Sequence, residues 1–355
     1  MIFLGAGASY PFGIPTMNGF TDTIIESLHS INIDWHKKLL EIKSSLQTKG
    51  LRYDIEIVST ALSIFSDDSA NKTYLSPFLA LSDNSIPPVD PTLADILTEV
   101  KKQIYRTCKR YDRNEANRIY KGLFSSLYDV RRTRINTNGN LEQFDYPVNY
   151  EIFTTNYDLS FTKYLEQHTS NYRDGFSGAD TSGIATFNNT WFRVEEHSQP
   201  DTINFGKLHG SINYYKHRDG RIVKYPTSLN EEDMDSESII DNMMIYPIGE
   251  KYATITPYFE MLSRFRDTLI KEKVVIVIGY SFRDEPINNA FLDRALRHKT
   301  TFKIVLVDPN VNEIITYMHP VLQSFVTPVQ SRFDSEDCPD LIVSAITDRH
   351  PGDIQ

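Results

Sequence analysis

The sequence predicts an α/β protein: a Rossmann-like, doubly wound parallel sheet carrying a helical insertion domain. Three observations predict it. Val274-Val-Ile-Val-Ile278 and, within Lys303-Ile-Val-Leu-Val-Asp308, Ile304–Val307 are apolar and largely β-branched runs, and such runs need the burial on both faces that central parallel strands have. Helical patterns follow each of them, and strand–helix alternation is the signature of a doubly wound sheet. The short apolar opening Ile2–Leu4 passes at once into Gly5-Ala-Gly7, which reads as a buried strand ending in a tight turn.

The remaining elements follow in order. After the opening turn a helix is expected, with Phe20, Ile24, Ile25 and Leu28 on one face. Four amphipathic runs come next, marked by Leu39, Leu40 and Leu46; by Val58, Ala61, Leu62 and Phe65; by Ile96, Val100, Ile104 and Tyr105; and by Ile119, Leu123, Leu127 and Val130. Ser76–Pro91, rich in Pro, Ser and Asp, reads as a loop among them. Strands are expected at Tyr150–Thr154, Ile203–Leu208 and Met243–Pro247, and a helix bearing Phe161, Tyr164 and Leu165 follows the first. The acidic stretch Glu231–Asp241 reads as an exposed loop. Thr256 and Pro257 suit the cap and first position of a helix aligning Tyr258, Leu262, Phe265 and Leu269. Pro286 opens another helix, and Asn310 with Glu313 forms a capping pair for the one after Asp308. The expected domains are a discontinuous nucleotide-binding domain, 1–29 and 136–330, a helical insertion, 30–135, and a C-terminal tail, 331–355. The abrupt start reads either as loss of an N-terminal element or as numbering that begins inside a longer protein.

The 355 residues suffice for one large domain with an insertion, or for two domains. No apolar stretch approaches the ~20 residues that span a bilayer, and no cleavable signal is visible. Two cysteines, Cys108 and Cys338, make neither a four-cysteine zinc site nor a disulfide framework, and a reducing, cytoplasmic setting fits. A net charge of −10 disfavours direct nucleic-acid binding by the surface as a whole. Residues 100–134 run against that balance, with eleven Lys or Arg and three acids. They read as the solvated face of two helices or as a docking surface for an acidic partner or a nucleic acid.

Four strand ends carry candidate chemistry. Gly5, Ala6, Gly7 and Ser9 stand where a strand hands over to a helix, where glycines let backbone approach a pyrophosphate and N–H groups bind its charge. The next glycine is Gly13, so the spacing is not the dehydrogenase Gly-x-Gly-x-x-Gly. Thr155-Asn156-Tyr-Asp158 ends the second strand, the side on which open α/β sheets bind ligands. Asn156 can donate and accept, and so can orient a hydroxyl or a water; Asp158 suits a helix N-cap. His209, followed by Gly210, offers an imidazole able to take a proton from a hydroxyl near neutral pH. In Gly279-Tyr-Ser281-Phe-Arg-Asp284, Ser281 suits ribose or phosphate contacts, and Asp284 reads equally as ligand contact or turn cap. Asp308, ending the next strand, suits a ribose diol or a turn before Pro309.

These pieces, with Gly13-Ile-Pro-Thr16, resemble the sirtuin superfamily in order and over nearly the whole chain. The nearest resemblance is to the sirtuin-like NADases of bacterial antiphage defence. It implies cleavage of NAD to nicotinamide and ADP-ribose, with Asn156 and His209 as the catalytic pair. It implies that Gly5, Ala6, Gly7, Ser9, Thr16, Asp158, Gly279, Ser281, Asp284 and Asp308 hold NAD, the substrate, and that no metal is used. Two departures separate the chain from deacylating sirtuins: it has no cysteines for their zinc module, and Thr16-Met17 stands where they carry Phe-Arg. A protein deacylase and a non-catalytic NAD or ADP-ribose sensor are the alternatives. Because an unrestrained NADase would kill its host, the resemblance implies regulation by assembly, either as a homo-oligomer or with a partner in trans such as a HerA-type ATPase or a short Argonaute.

Overall fold

The computed structural model describes residues 1–50, 53–66, 92–135, 141–143, 149–169, 171–192, 202–229, 239–244, 256–297 and 302–347. The chain divides into two compact units: Met1–Gly13, Tyr111–Ile245 and Tyr252–Gln355 form the first, and Ile14–Arg110 with Tyr246–Lys251 the second.

The first unit is built on strands β1 (Ile2–Leu4), β2 (Thr133–Ile135), β3 (Leu141–Gln143), β4 (Tyr150–Thr154), β5 (Tyr172–Arg173), β6 (Phe176–Ser177) and β7 (Ala185–Phe187). Strands β8 (Ile203–Lys207), β9 (Gly210–His217), β10 (Ile222–Lys224), β11 (Ile239–Met244), β12 (Val274–Ile278), β13 (Lys303–Val307) and β14 (Val326–Val329) follow. Seven of them form one sheet in the order β14-β13-β12-β1-β4-β8-β5. Every pairing in it is parallel. From β1 the chain steps through β4 and β8 to one side, then returns through β12, β13 and β14 on the other. That is the doubly wound Rossmann order, with its direction reversing between β1 and β12. The register aligns Leu4 with both Thr154 and Ile278, Thr154 with Lys207, and Ile278 with Val307. The carboxyl ends of β8, β4, β1, β12 and β13 are therefore level.

Strand alternation sorts the sheet's side chains into two cores. Phe3, Phe153, Val275, Val277, Ile304 and Leu306 face one, with residues of helices Tyr258–Lys271 and Glu285–Arg297. Ile2, Leu4, Ile152, Ile276, Val305 and Val307 face the other, with residues of helices Arg113–Arg132, Ser160–His168 and Cys338–Thr347. Helix Arg113–Arg132 is placed by Ala116, Ile119, Tyr120, Leu123 and Leu127 in that second core, and Asp112 Oδ1 caps it by accepting from the N–H groups of Asn114 and Glu115. Neither β14 nor helix Cys338–Thr347 carries a signal that the sequence reading found; both are short.

An antiparallel sheet, β11-β9-β10-β7-β6, leaves the parallel one directly after His209. Of the strand expected at Met243–Pro247, Met243 and Met244 are strand, and β11 begins earlier, at Ile239, because β9 pairs with this earlier segment; 245–247 lie outside the described residues. Of the acidic stretch 231–241, residues 231–238 also lie outside them, and its end is strand. The helix after Pro257 begins at Tyr258, with Pro257 as its N-cap. Thr256 does not cap it: its hydroxyl donates to Glu260 Oε1 at 2.9 Å. The Asn310–Glu313 side-chain capping pair is absent too. Asn310 N–H is taken by Asp308 Oδ1 at 2.8 Å, so the preceding aspartate orders that turn.

The second unit packs helices Met17–Ile31, Ile33–Thr48, Ile55–Ser66 and Thr92–Lys109 on one another. Phe20, Ile24, Ile25, Leu28, Leu39, Val58, Leu62, Ile96, Val100, Ile104 and Tyr105 are buried. Leu40 is exposed and Leu46 half-buried, because the helix turns only about 100° per residue and Leu39 already takes the inward direction. Phe65, Val130 and the loop 76–91 lie outside what is described of side chains or of the chain. Among the described residues no helix is long and apolar enough to cross a membrane.

Both cysteines are buried, and burial pushes the Cys338 thiol up to about 11. A buried, protonated thiol is a poor nucleophile. A disulfide-exchange reagent at pH 8 should therefore label neither cysteine within minutes in the native protein and both after denaturation. Rapid native labelling of Cys338 would contradict this placement.

Candidate active site

The site is read from the level strand ends. At the crossover, Gly5 N–H donates to Ile278 O at 2.9 Å and Gly7 N–H to Gly279 O at 2.8 Å. The turn after β1 thus lies directly on the turn after β12. A Cβ on Gly5 would fall 2.5 Å from Gly279 O, and one on Gly279 would fall 2.3 Å from Ala8 N. Gly279 also has φ of +63°, which disfavours any side chain. Close packing of two backbones therefore accounts for these glycines, and the N–H groups of Gly5 and Gly7 serve the protein's own backbone. Ala6, half-buried, opens the single helical turn Ala6–Ser9.

The end of β4 carries a polar network. Thr154 Oγ1 donates to Leu4 O at 2.9 Å and accepts from Asn156 N–H at 3.0 Å. Asn156 Nδ2 donates to Gly5 O at 2.8 Å and to Ser9 Oγ at 2.9 Å. The Ser9 hydroxyl then donates to Asp158 Oδ2 at 2.7 Å. A peptide carbonyl only accepts, so the Gly5 contact settles which end of the Asn156 amide faces inward. Both Nδ2 hydrogens are committed, and Oδ1 is the end presented elsewhere. Asp158 also accepts from Ser160 N–H at 2.8 Å through Oδ1, so it supports the start of helix Ser160–His168 from one residue before the cap, Leu159. The buried Lys207 donates its ammonium to the Asp158 carbonyl, tying the end of β8 to this loop.

At the end of β8, His209 and Asp284 form a buried pair, with Nε2 to Oδ2 2.8 Å and side chains 5% and 7% exposed. Gly210 follows with φ of +81°, and a Cβ there would meet Met243 O at 2.0 Å. The Tyr157 ring lies 6.4 Å from the His209 ring, centre to centre, and Tyr157 O accepts from Ile212 N–H at 3.1 Å. The loops after β4 and β8 are thus packed together, bringing Asn156, Asp158 and His209 into one neighbourhood.

Asp284 stands in the turn after β12, where Ser281 is half-buried. Its Oδ1 accepts from Ile287 N–H at 3.0 Å, the cap of helix Glu285–Arg297. Asp308, half-buried at the end of β13, donates its N–H to Val329 O. Burial raises its carboxyl above the usual aspartate range. Thr16 is exposed as the N-cap of helix Met17–Ile31 in the helical unit. Tyr111 is pushed up to about 12, chiefly by burial, so it stays a neutral phenol near Asp158. Among the described residues no group of three or more His, Cys, Asp or Glu is arranged to hold a metal ion.

Residues 150–315 match the family described as the SIR2-like domain. The match begins with β4 and runs through β13 into the following helix, taking in Asn156, Asp158, His209, Gly279, Ser281, Asp284 and Asp308. Among solved structures, the chain is similar to a Sir2 homolog in complex with NAD, at 13% identity and TM-score 0.48, covering 98% of this chain and 88% of that one. It is similar also to a histidine-to-asparagine variant of a Sir2 homologue bound to ADP-ribose, at 13% identity and TM-score 0.46, covering 98% and 91%. No curated protein matches.

Sequence reasoning missed Lys207 and Asn288. Lys207 carries a faint signal, a lysine at a strand end two residues before His209. Asn288 carries none, since its partners Phe282 and Tyr280 are recognisable only once the turn is folded.

Proposed function

We propose that this chain is an NAD glycohydrolase, cleaving NAD to nicotinamide and ADP-ribose, and that it acts as an NAD-depleting effector of antiphage defence held in check by assembly. The observation that carries the reading is the oriented Asn156 amide, tied to Gly5 and Ser9 at the crossover, beside a strand end bearing the carboxylate-paired imidazole of His209.

The chemistry suits those groups. The C1′–N bond breaks, its electron pair neutralises the pyridinium, and nicotinamide leaves without needing a general acid. What must be stabilised is an oxocarbenium-like ribosyl cation, and water must reach C1′. Asn156 Oδ1 accepts from a ribose hydroxyl or that water; His209 takes the proton released as the new C–O bond forms. In this reading Gly5, Ala6, Gly7, Ser9, Gly279, Ser281 and Asp308 line the dinucleotide crevice, with Asp158 as a further contact. The resemblance of ordered motifs supports the defence role, and the basic segment 100–134 is the proposed contact for assembly.

The test is nicotinamide release from NAD by the purified chain, dilute and concentrated, and in extracts of infected cells. Turnover should fall by about 10²–10³-fold in Asn156→Ala and by about 10²–10⁴-fold in His209→Ala. Variants as fast as wild type would refute the assignment. Release of an O-acyl-ADP-ribose from an acylated peptide would favour deacylation instead. Tight NAD binding with no turnover would favour a sensor.

A further inference from the structure

We infer that Asp284 is the positioning residue of His209: it fixes the imidazole tautomer so that Nδ1 is the basic atom. This rests on the proposed NAD-cleaving role of His209. It also gives Asp284 a task other than holding the dinucleotide.

Both Asp284 oxygens are engaged inside the protein. Oδ1 accepts from Ile287 N–H at 3.0 Å, while Oδ2 lies 2.8 Å from His209 Nε2. An ionised carboxylate only accepts, so Nε2 carries the imidazole proton. In a neutral ring the lone pair is then on Nδ1.

The turn that delivers Asp284 is built for this aim. Phe282 is buried at φ of +53°, the left-handed region, and is the positive-φ non-glycine residue among those described. Such a conformation is disfavoured for an L-residue and persists only where neighbours impose it. Asn288 imposes it: Nδ2 donates to Phe282 O at 2.6 Å, and Oδ1 accepts from the Tyr280 hydroxyl at 3.3 Å. The Phe282 ring is set against Tyr280 and Phe291. Strain at this turn is thus tied to a carboxylate that reaches across to the end of β8.

The decisive variant is Asp284→Asn, which keeps the shape. Its carbonyl must still accept from Ile287 N–H, so its NH2 is turned toward Nε2 and the imidazole proton moves to Nδ1. We expect kcat for NAD cleavage to fall about 10²–10⁴-fold, with KM for NAD changed less than about 3-fold and the melting temperature nearly unchanged. Nitrogen NMR of the 15N-histidine-labelled full chain, with His209→Gln to assign the resonance, reads the tautomer directly. Wild type should carry the proton on Nε2 and Asp284→Asn on Nδ1. A neutral Nδ1–H form in wild type overturns the inference even if the variant fails to fold. So does an unchanged kcat in the folded variant. The NMR arm is independent of turnover, so a wild-type chain that releases no nicotinamide when dilute, when concentrated and in extracts of infected cells sinks the NADase reading while leaving the tautomer result to stand or fall by itself.

Discussion

Asn156→Asp should lose nicotinamide release as completely as Asn156→Ala, by about 10²–10³-fold, although aspartate is almost isosteric with asparagine. A carboxylate near a developing ribosyl cation would, by charge alone, be expected to help. The network decides otherwise. Asn156 is held by donating both Nδ2 hydrogens, to Gly5 O and to Ser9 Oγ. A carboxylate has no hydrogen to give: it would set an oxygen against the Gly5 carbonyl and compete with Asp158 for the single Ser9 proton. The side chain swings away, and the acceptor presented to substrate is lost. Turnover and NAD affinity should both be measured. Activity of Asn156→Asp at or above wild type would mean that charge, and not the orientation of the amide, is what the site supplies.

The second large effect falls on stability. Gly279→Ala should cost about 2–5 kcal/mol, the left-handed backbone of an L-residue plus overpacking of a filled space. Its Cβ would meet Ala8 N at 2.3 Å and Gly7 Cα at 2.5 Å, all backbone, so nothing flexible can give way. The expected drop in apparent melting temperature is roughly 4–10 °C. Gly220 is the control. It has φ of +86° but meets nothing within 4 Å, so Gly220→Ala should cost only the backbone part, about 1–2 kcal/mol. Equal losses in the two variants would show that the packing of the β1 and β12 turns contributes nothing beyond their dihedral angles.

That pair of turns also shows how much of the molecule is legible in its sequence. The parallel sheet is, because a strand buried on both faces must be apolar nearly throughout, and Val274–Ile278 and Ile304–Val307 are. The helix stripes are, because burial selects every third or fourth residue. Gly5, Gly7 and Gly279 announce themselves as turns, but the sequence offers phosphate binding as their reason, while the folded chain first uses them to let two backbones touch. The bond between His209 and Asp284 spans 75 positions and follows from strand order β12-β1-β4-β8, which no local pattern encodes. The same holds for the link from Asn156 to Ser9. Very short elements such as β6, β7, β10 and β14 were illegible for another reason: two to four residues show no period, and their pairing, not their composition, makes them strands.

In the proposed reaction, water cleaves NAD at C1′. Its most direct test is product analysis in 18O-labelled water, with the chain dilute, concentrated and in extracts of infected cells. Unlabelled nicotinamide and ADP-ribose carrying one 18O at C1′ are the expected products, both abolished in His209→Ala. NAD bound but recovered intact under all three conditions, or ADP-ribose released only as an acyl ester, would contradict it.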